Sequence, residues 1–222
     1  MVIVFMFGLS HVGFAELMSV VLTRLVAYFI VIPLPGVFRA WVSKKMGDST
    51  AAEHGLTQLD PFVQVDIFGF ICMLMFGFGW GRRIPLDPSR IYNHYRGLRL
   101  FVASFSAAFV FILQAVVIFI MLFVNRQLFE GMEMSSFSVS LEKILGQSAT
   151  LCIFLAAIEI IINGIYLAGI YLVEKQGVDR QQLWFGSLVA TFVMLIFFGG
   201  ILQAWIVTVI NFIVSLMFSL IS

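Results

Sequence analysis

The sequence predicts an all-α integral membrane protein, a polytopic helical bundle of five to six membrane segments within a single domain, 1–222. Three observations carry this. Of 222 residues, 61% are hydrophobic and 11% charged, whereas a soluble domain has roughly 45–50% apolar and about 25% charged residues. Apolar runs of about 18 residues or more recur, each long enough to cross ~30 Å of hydrocarbon at 1.5 Å per residue. The runs do not alternate in period two, which argues against a β-barrel.

The segments follow in order as about 16–37, 62–80, 100–124, 151–173, 183–199 and 201–220. The first carries Arg24 and ends on Pro33-Leu34-Pro35-Gly36, which is read as a helix break. Residues 39–61 are polar. Segment 62–80 holds Asp66, Gly69, Gly77 and Gly79. A basic loop then carries Arg82, Arg83, Arg90, Arg96 and Arg99 against Asp87. After the clean span 100–124, loop 125–149 is mildly acidic, and 151–173 contains Glu159 and Asn163. No charged residue follows Arg180, so the last stretch is expected to make two spans with a turn near Gly199-Gly200. The N-terminus has no basic n-region and no A-x-A site, so no removable signal peptide is expected.

Topology turns on 62–80. If it crosses, basic loop residues divide seven against five; if it dips in and returns, ten share one face against two. The positive-inside bias favours the second arrangement. Loops 39–61, 81–99 and 173–182 are then cytoplasmic, in a multi-pass protein of the cell (inner) membrane. A re-entrant backbone must be buried by neighbouring helices or reached by water.

A net charge of +1, no basic block and no phosphate-binding Gly loop give no argument for nucleic acid. Cys72 and Cys152 form no CxxC pair, which sets aside a zinc ribbon or redox dithiol.

Residues 47–88 carry an ordered set of landmarks: Gly47-Asp48-x-Thr50-Ala51, Gly55, Leu59-Asp60-Pro61, Asp66, Gly69, Phe78-Gly79-Trp80 and Ile84-Pro85-Leu86-Asp87-Pro88. This set resembles the short bacterial branch of the site-2 protease (M50) family, which reads much like G-D-x-T-A, L-N-P-x-x-H-x-D-P-x-G and F-G-W-x-x-P-V-P-V-N-P. The resemblance implies a site-2-protease-like core and an intramembrane zinc metalloprotease. There an H-E-x-x-H helix supplies two ligands on one face and a general base, and an L-D-G motif supplies a carboxylate.

Counting back from Gly47 puts the first His position on Pro35, the Glu on Gly36 and the second His on Arg39. The His of N-P-x-x-H falls on Gln64, beside the matching Asp66. Aligning on Asn163 puts the ligand Asp on Tyr171, and no L-D-G occurs anywhere. Arg39 stays protonated and would repel a cation. The three histidines, His11, His54 and His94, lie too far apart for any i, i+4 pair.

The expected function is therefore that of a pseudoprotease without cofactor, acting as scaffold, assembly factor or subunit of a membrane complex. Its partners would be the bilayer and other membrane proteins or transmembrane helices, met at Pro35–Arg39, 62–80 and Tyr171. The alternative is a divergent zinc protease with displaced ligands drawn from His54, His94, Asp60 and Asp66. A third reading is a small ion or proton conductor using Arg24, Asp66 and Glu159.

Arg24, Glu159 and Asn163 are read first as intramembrane polar pairing, Arg24 with Glu159 or Asp66; Asn163 stands one turn from Glu159 on the same helix face. The arginines of 82–99 read as the positive-inside signature, with anionic lipid headgroups or a cytoplasmic partner as the other reading. Ser104, Ser106, Ala107 and Ala108 are small enough to admit a close neighbouring helix.

Overall fold

The computed structural model describes residues 13–92, 95–128, 136–173, 182–183, 185–191, 193, 204, 208 and 212. The described residues are helical or irregular, with no strand among them and one isolated bridge. Three described helices are long and apolar enough to cross a membrane. Of the span expected at 183–199, residues 183, 185–191 and 193 are described and helical, while the span expected at 201–220 lies largely outside the described residues.

The helices are α1 (Phe14–Val31), α2 (Pro33–Met46), α3 (Thr50–Glu53), α4 (Pro61–Gln64), α5 (Ile67–Phe76), α6 (Arg96–Leu128) and α7 (Ser136–Val173). The chain divides into two compact units, residues up to Leu155 and residues from Ala156.

The Pro-Leu-Pro-Gly stretch does not end the first helix. Ile32 keeps helical angles (φ −71°, ψ −41°) and its N–H still donates to Tyr28 O at 3.0 Å. Pro33 and Pro35 fall in the first turn of α2, where a missing N–H costs little and a fixed φ suits the helix. The result is an apolar helix of 33 residues, Phe14–Met46, about 50 Å long at 1.5 Å per residue. Gly47 ends it at φ 115°, its N–H on Lys44 O, with Lys44 and Lys45 placed against the negative end of the helix dipole.

Segment 62–80 is built otherwise. Its helix α5 has 10 residues, about 15 Å, or half the hydrocarbon thickness. Asp66 Oδ1 accepts from Gly69 N at 2.8 Å to start it, and Gly77 at φ 78° ends it. The chain then turns back. Val65 and Gly81 pair in an antiparallel bridge, and Arg82 N donates to Gln64 O at 2.7 Å. The two arms touch backbone to backbone: a Cβ on Gly69 would fall on Trp80, and one on Gly79 on the Gly69 carbonyl. Both positions therefore require glycine.

α6 and α7 reach further than hydropathy alone suggests. α6 begins at Arg96 rather than near 100, and α7 at Ser136 rather than 151. The stretch 136–150 is polar enough to read as loop, yet it contains good helix formers such as Leu141, Glu142, Lys143 and Leu145. Arg126 and Glu142, 2.6 Å apart, join the facing ends of α6 and α7.

α2 packs chiefly on α6. The Arg90 carbonyl lies against Gly47, so α6 starts a few residues from where α2 ends. Far along both helices, Gln114 Nε2 donates to Ile30 O at 3.4 Å. Equal distances from a shared end to a shared contact make the pair antiparallel. Ala40, Ser43, Ala103, Ser104, Ala107 and Ala108 are all buried, small side chains that bring the two backbones close. The small residues of α6 thus serve a contact inside the chain.

Candidate functional site

Residues Arg24, Tyr28, Ile32 and Gly36 recur every four positions along α1 and α2, and successive members share a helix face. The hairpin 64–81 lies along them. At its tip, Arg24 Nη1 donates to Leu74 O at 2.7 Å and Met75 O at 3.1 Å. These are carbonyls of the last turn of α5, which have no partner within their own helix. A buried guanidinium there satisfies both and opposes the dipole. Gln147 Nε2 donates to Gly77 O at 2.8 Å from α7. At the neck, Tyr28 Oη donates to Trp80 O at 2.7 Å and lies 3.4 Å from Asp66 O. The methyl-bearing Ile32 fills the space beside Gly81, and Gly36 meets Gln64.

The structure thus brings together two of the positions on which the resemblance placed the catalytic motif. A Cβ on Gly36 would land on Gln64 Oε1, with Ile84 Cδ1 at 3.7 Å. Gln64 is 1% exposed. Its Nε2 donates to Leu56 O at 2.9 Å, and its buried Oε1 has no hydrogen-bond partner among the described residues. The space that a Glu side chain at position 36 would need is filled by this amide. Pro35 and Arg39 are buried in α2. Asp66 spends its carboxylate on the α5 N-terminus. Tyr171 lies in the second unit and is 87% exposed.

These residues do not fit a zinc ion. Pro35 and Gly36 carry no donor atom, Arg39 is cationic, and Gln64 is a neutral amide already bound to a carbonyl. The described members of the displaced-ligand set are engaged elsewhere in the structure. His54 Nδ1 lies 2.7 Å from Thr50 O, and Asp60 Oδ1 accepts from Phe62 N at 2.9 Å. His94 lies outside the described residues, as does His11. Among the described residues, no three His, Cys, Asp or Glu side chains gather as a metal site would require.

In the second unit, Asn163 Nδ2 donates to Glu159 O at 2.7 Å and to Glu159 Oε2 at 2.6 Å. In the first unit, Arg24 reaches backbone carbonyls, while Asp66 is engaged as a helix cap.

The loop landmarks form a second constellation, centred on Asp48. It is fully buried; Oδ1 accepts from Thr50 N at 3.0 Å and from the Thr50 hydroxyl, and Oδ2 accepts from Asp87 N at 2.7 Å. One carboxylate therefore ties the Gly-Asp-x-Thr-Ala turn to the Ile-Pro-Leu-Asp-Pro strip. Outside it, Arg90 bridges to Glu53 at 2.6 Å. The hydrogen bond from Arg90, and next that from Ser49, hold the Glu53 carboxyl below the usual range, and Glu53 in turn raises Arg90.

Tyr28 and Gln147, which meet the hairpin backbone, were not singled out in the sequence, and Asp48 was noted only as a landmark. A signal existed for Tyr28, which stands one turn from Arg24 on the same face.

Over 48 residues the chain is 46% identical to "Putative zinc metalloprotease YwhC" of Bacillus subtilis (strain 168). That stretch makes up 22% of this chain and 22% of that protein, so the chain matches about a fifth of the relative's length. No family model matches the chain, and no solved structure matches it.

Proposed function

We propose that this chain is a site-2-protease-like membrane protein that has lost its zinc chemistry and serves as a scaffold, assembly factor or subunit of a membrane complex. The observation that carries the reading is the packing of Gln64 against Gly36. Where the related chemistry needs a general base and a hydrated metal, this chain has a buried amide pressed on a glycine. The local similarity to a zinc metalloprotease supports descent from such a fold; fold alone does not assign activity.

The hairpin 64–81 dips into the membrane and returns to its side of origin. Support comes from its 10-residue helix, its paired ends at Val65 and Gly81 and the polar side chains that meet its loose backbone groups. The loops that flank it, 39–61 and 81–99, then share the cytoplasmic face of the cell membrane. What remains of the family's cleft is a rigid helix-plus-hairpin wall, Leu34 to Arg39 beside 62–80. Such a wall is suited to hold a transmembrane helix of a partner. Leu34, 45% exposed beside the closed site, is the natural probe of that wall.

Two measurements test this on the full chain in mild detergent, without chelators or a metal-binding tag. Elemental mass spectrometry should find far less than one zinc per chain; about one per chain sinks the reading. A photocrosslinking residue in place of Leu34, activated in native membranes, should give the same adduct in every preparation. No repeatable adduct, together with a lone monomer on gentle extraction, would remove the scaffold role.

A further inference from the structure

We infer that the end of the bundle where α2 stops and α6 starts is a binding site for the headgroup of an anionic phospholipid. The inference stands apart from the fate of the zinc site and needs only that the long helices are embedded in a membrane.

The antiparallel register carries it. Counting an equal number of residues from the Gln114–Ile30 contact along both helices brings Lys45 level with Arg99 and Lys44 level with Leu100. Lys44, Lys45 and Arg99 therefore lie at one depth. That depth is the edge of the apolar zone, since the clean run of α6 begins at Leu100. Amphipathic aromatics mark the same edge. Trp41 is 49% exposed with Lys45 Nζ 5.5 Å from its ring centroid, and Tyr95 stands 69% exposed one turn before Arg99. A lysine laid along an indole at the start of hydrocarbon keeps its ammonium at headgroup height.

The neighbouring acids do not neutralise this patch. Asp48 is buried and accepts from Thr50 and Asp87. Glu53 is engaged by Arg90 and Ser49, and Asp87 by Ser89 and Arg90. What is left facing the interface is cationic, bordered by ring edges and continuous with apolar helix surface. A phosphodiester with two acyl chains matches that sequence of chemistries. An acidic soluble segment matches only the first.

Each basic residue near an anionic surface favours it by about fivefold. Purified full-length protein, delipidated in mild detergent, is titrated separately with phosphatidylglycerol and phosphatidylcholine, and bound lipid is counted by native mass spectrometry. The wild type should retain phosphatidylglycerol at a roughly tenfold or greater lower concentration than phosphatidylcholine. Lys44→Gln/Lys45→Gln/Arg99→Gln should abolish the preference, and 0.5 M salt in the buffer should weaken it. Arg126→Gln, at the other end of α6, should leave it unchanged. Should the triple variant fail to fold, Lys44→Gln/Lys45→Gln, both exposed positions, must still reduce the preference several-fold. Equal retention of the two lipids by wild type overturns the inference, as does a preference that survives neutralisation or is lost equally on Arg126→Gln. Displacement of bound phosphatidylglycerol by oligoglutamate at equal concentration would also overturn it, assigning the patch to a protein partner.

Discussion

Replacing Arg24 by Met removes the two hydrogen bonds that close the tip of the hairpin, to Leu74 O and Met75 O. Hydrogen bonds to a charged group contribute about 1.5–3 kcal/mol each, and a carbonyl left buried without a partner costs a similar amount. Against this, a buried guanidinium no longer has to be desolvated, which returns part of the loss. The balance is a hairpin destabilised by about 3 kcal/mol, which at 1.4 kcal/mol per tenfold is ~150-fold in the population of its open form. Cys72 lies in α5 and is only partly exposed, so its modification by a maleimide reports that opening. In a Cys152→Ala background, Arg24→Met should accelerate labelling of Cys72 about 100-fold at protein concentrations where the fold stays intact. Arg24→Lys, which keeps a cation but loses the planar fork, should fall between the two. Labelling of Arg24→Met within threefold of the parent would refute the role of Arg24 as cap.

Gly36→Ala drives a methyl group into Gln64 Oε1 and should destabilise by about 1–3 kcal/mol; adding Gln64→Ala should recover part of that loss in a double-mutant cycle of thermal unfolding, and strict additivity would separate the two residues. Asp48→Ala frees three donors, those of Thr50 N, the Thr50 hydroxyl and Asp87 N, and should cost about 3 kcal/mol, read as faster proteolysis within 47–90. Glu53 has a lowered pKa in the folded chain, so its contribution is complete above the ordinary Glu value of about 4.3 and is lost as pH falls through the folded value. Both partners are exposed, so the effect is small; Glu53→Gln should slightly lower stability at neutral pH, leave it nearly unchanged at low pH, and so flatten the acid limb of a stability–pH curve.

Hydropathy located the cores of the long helices and missed their ends. Arg39, Trp41, Lys44 and Lys45 are polar or interfacial and read as loop, yet nothing in 33–46 stops a helix before Gly47. The prolines misled for a related reason, because a proline that breaks a helix from inside is harmless when it opens the next turn. The Glu159–Asn163 pair was legible from its i, i+4 spacing. Arg24 was legible as an intramembrane charge needing a partner, but its acceptors on α5 are backbone carbonyls, which every residue possesses and no sequence marks. The contact of Gly36 with Gln64 joins residues 28 apart through a tertiary fold, and only the resemblance drew attention to both.

The landmarks that carry that resemblance turn out to be folding residues. Gly47 takes a positive φ, Asp48 ties two turns, Asp60 and Asp66 start helices, and Gly69 and Gly79 let two backbones touch. None of them needs a metal to do this work. The positions on which the resemblance places the catalytic groups are others, Pro35, Gly36, Arg39 and Gln64, and the hairpin packs on Gly36 through Gln64. A framework whose backbone groups are met by its own side chains stays stable when the reacting groups are replaced. Similarity confined to the framework therefore speaks for the shape of the hairpin and loop and is silent on catalysis. The Gly36–Gln64 contact is where the two can be told apart. With Gln64 pressed on Gly36, placing His at 35 and 39 and Glu at 36 should not yield stoichiometric zinc binding until Gln64 is also replaced by His. Zinc bound by the first variant, without the change at Gln64, would show that the Gln64 amide does not close this space to a metal.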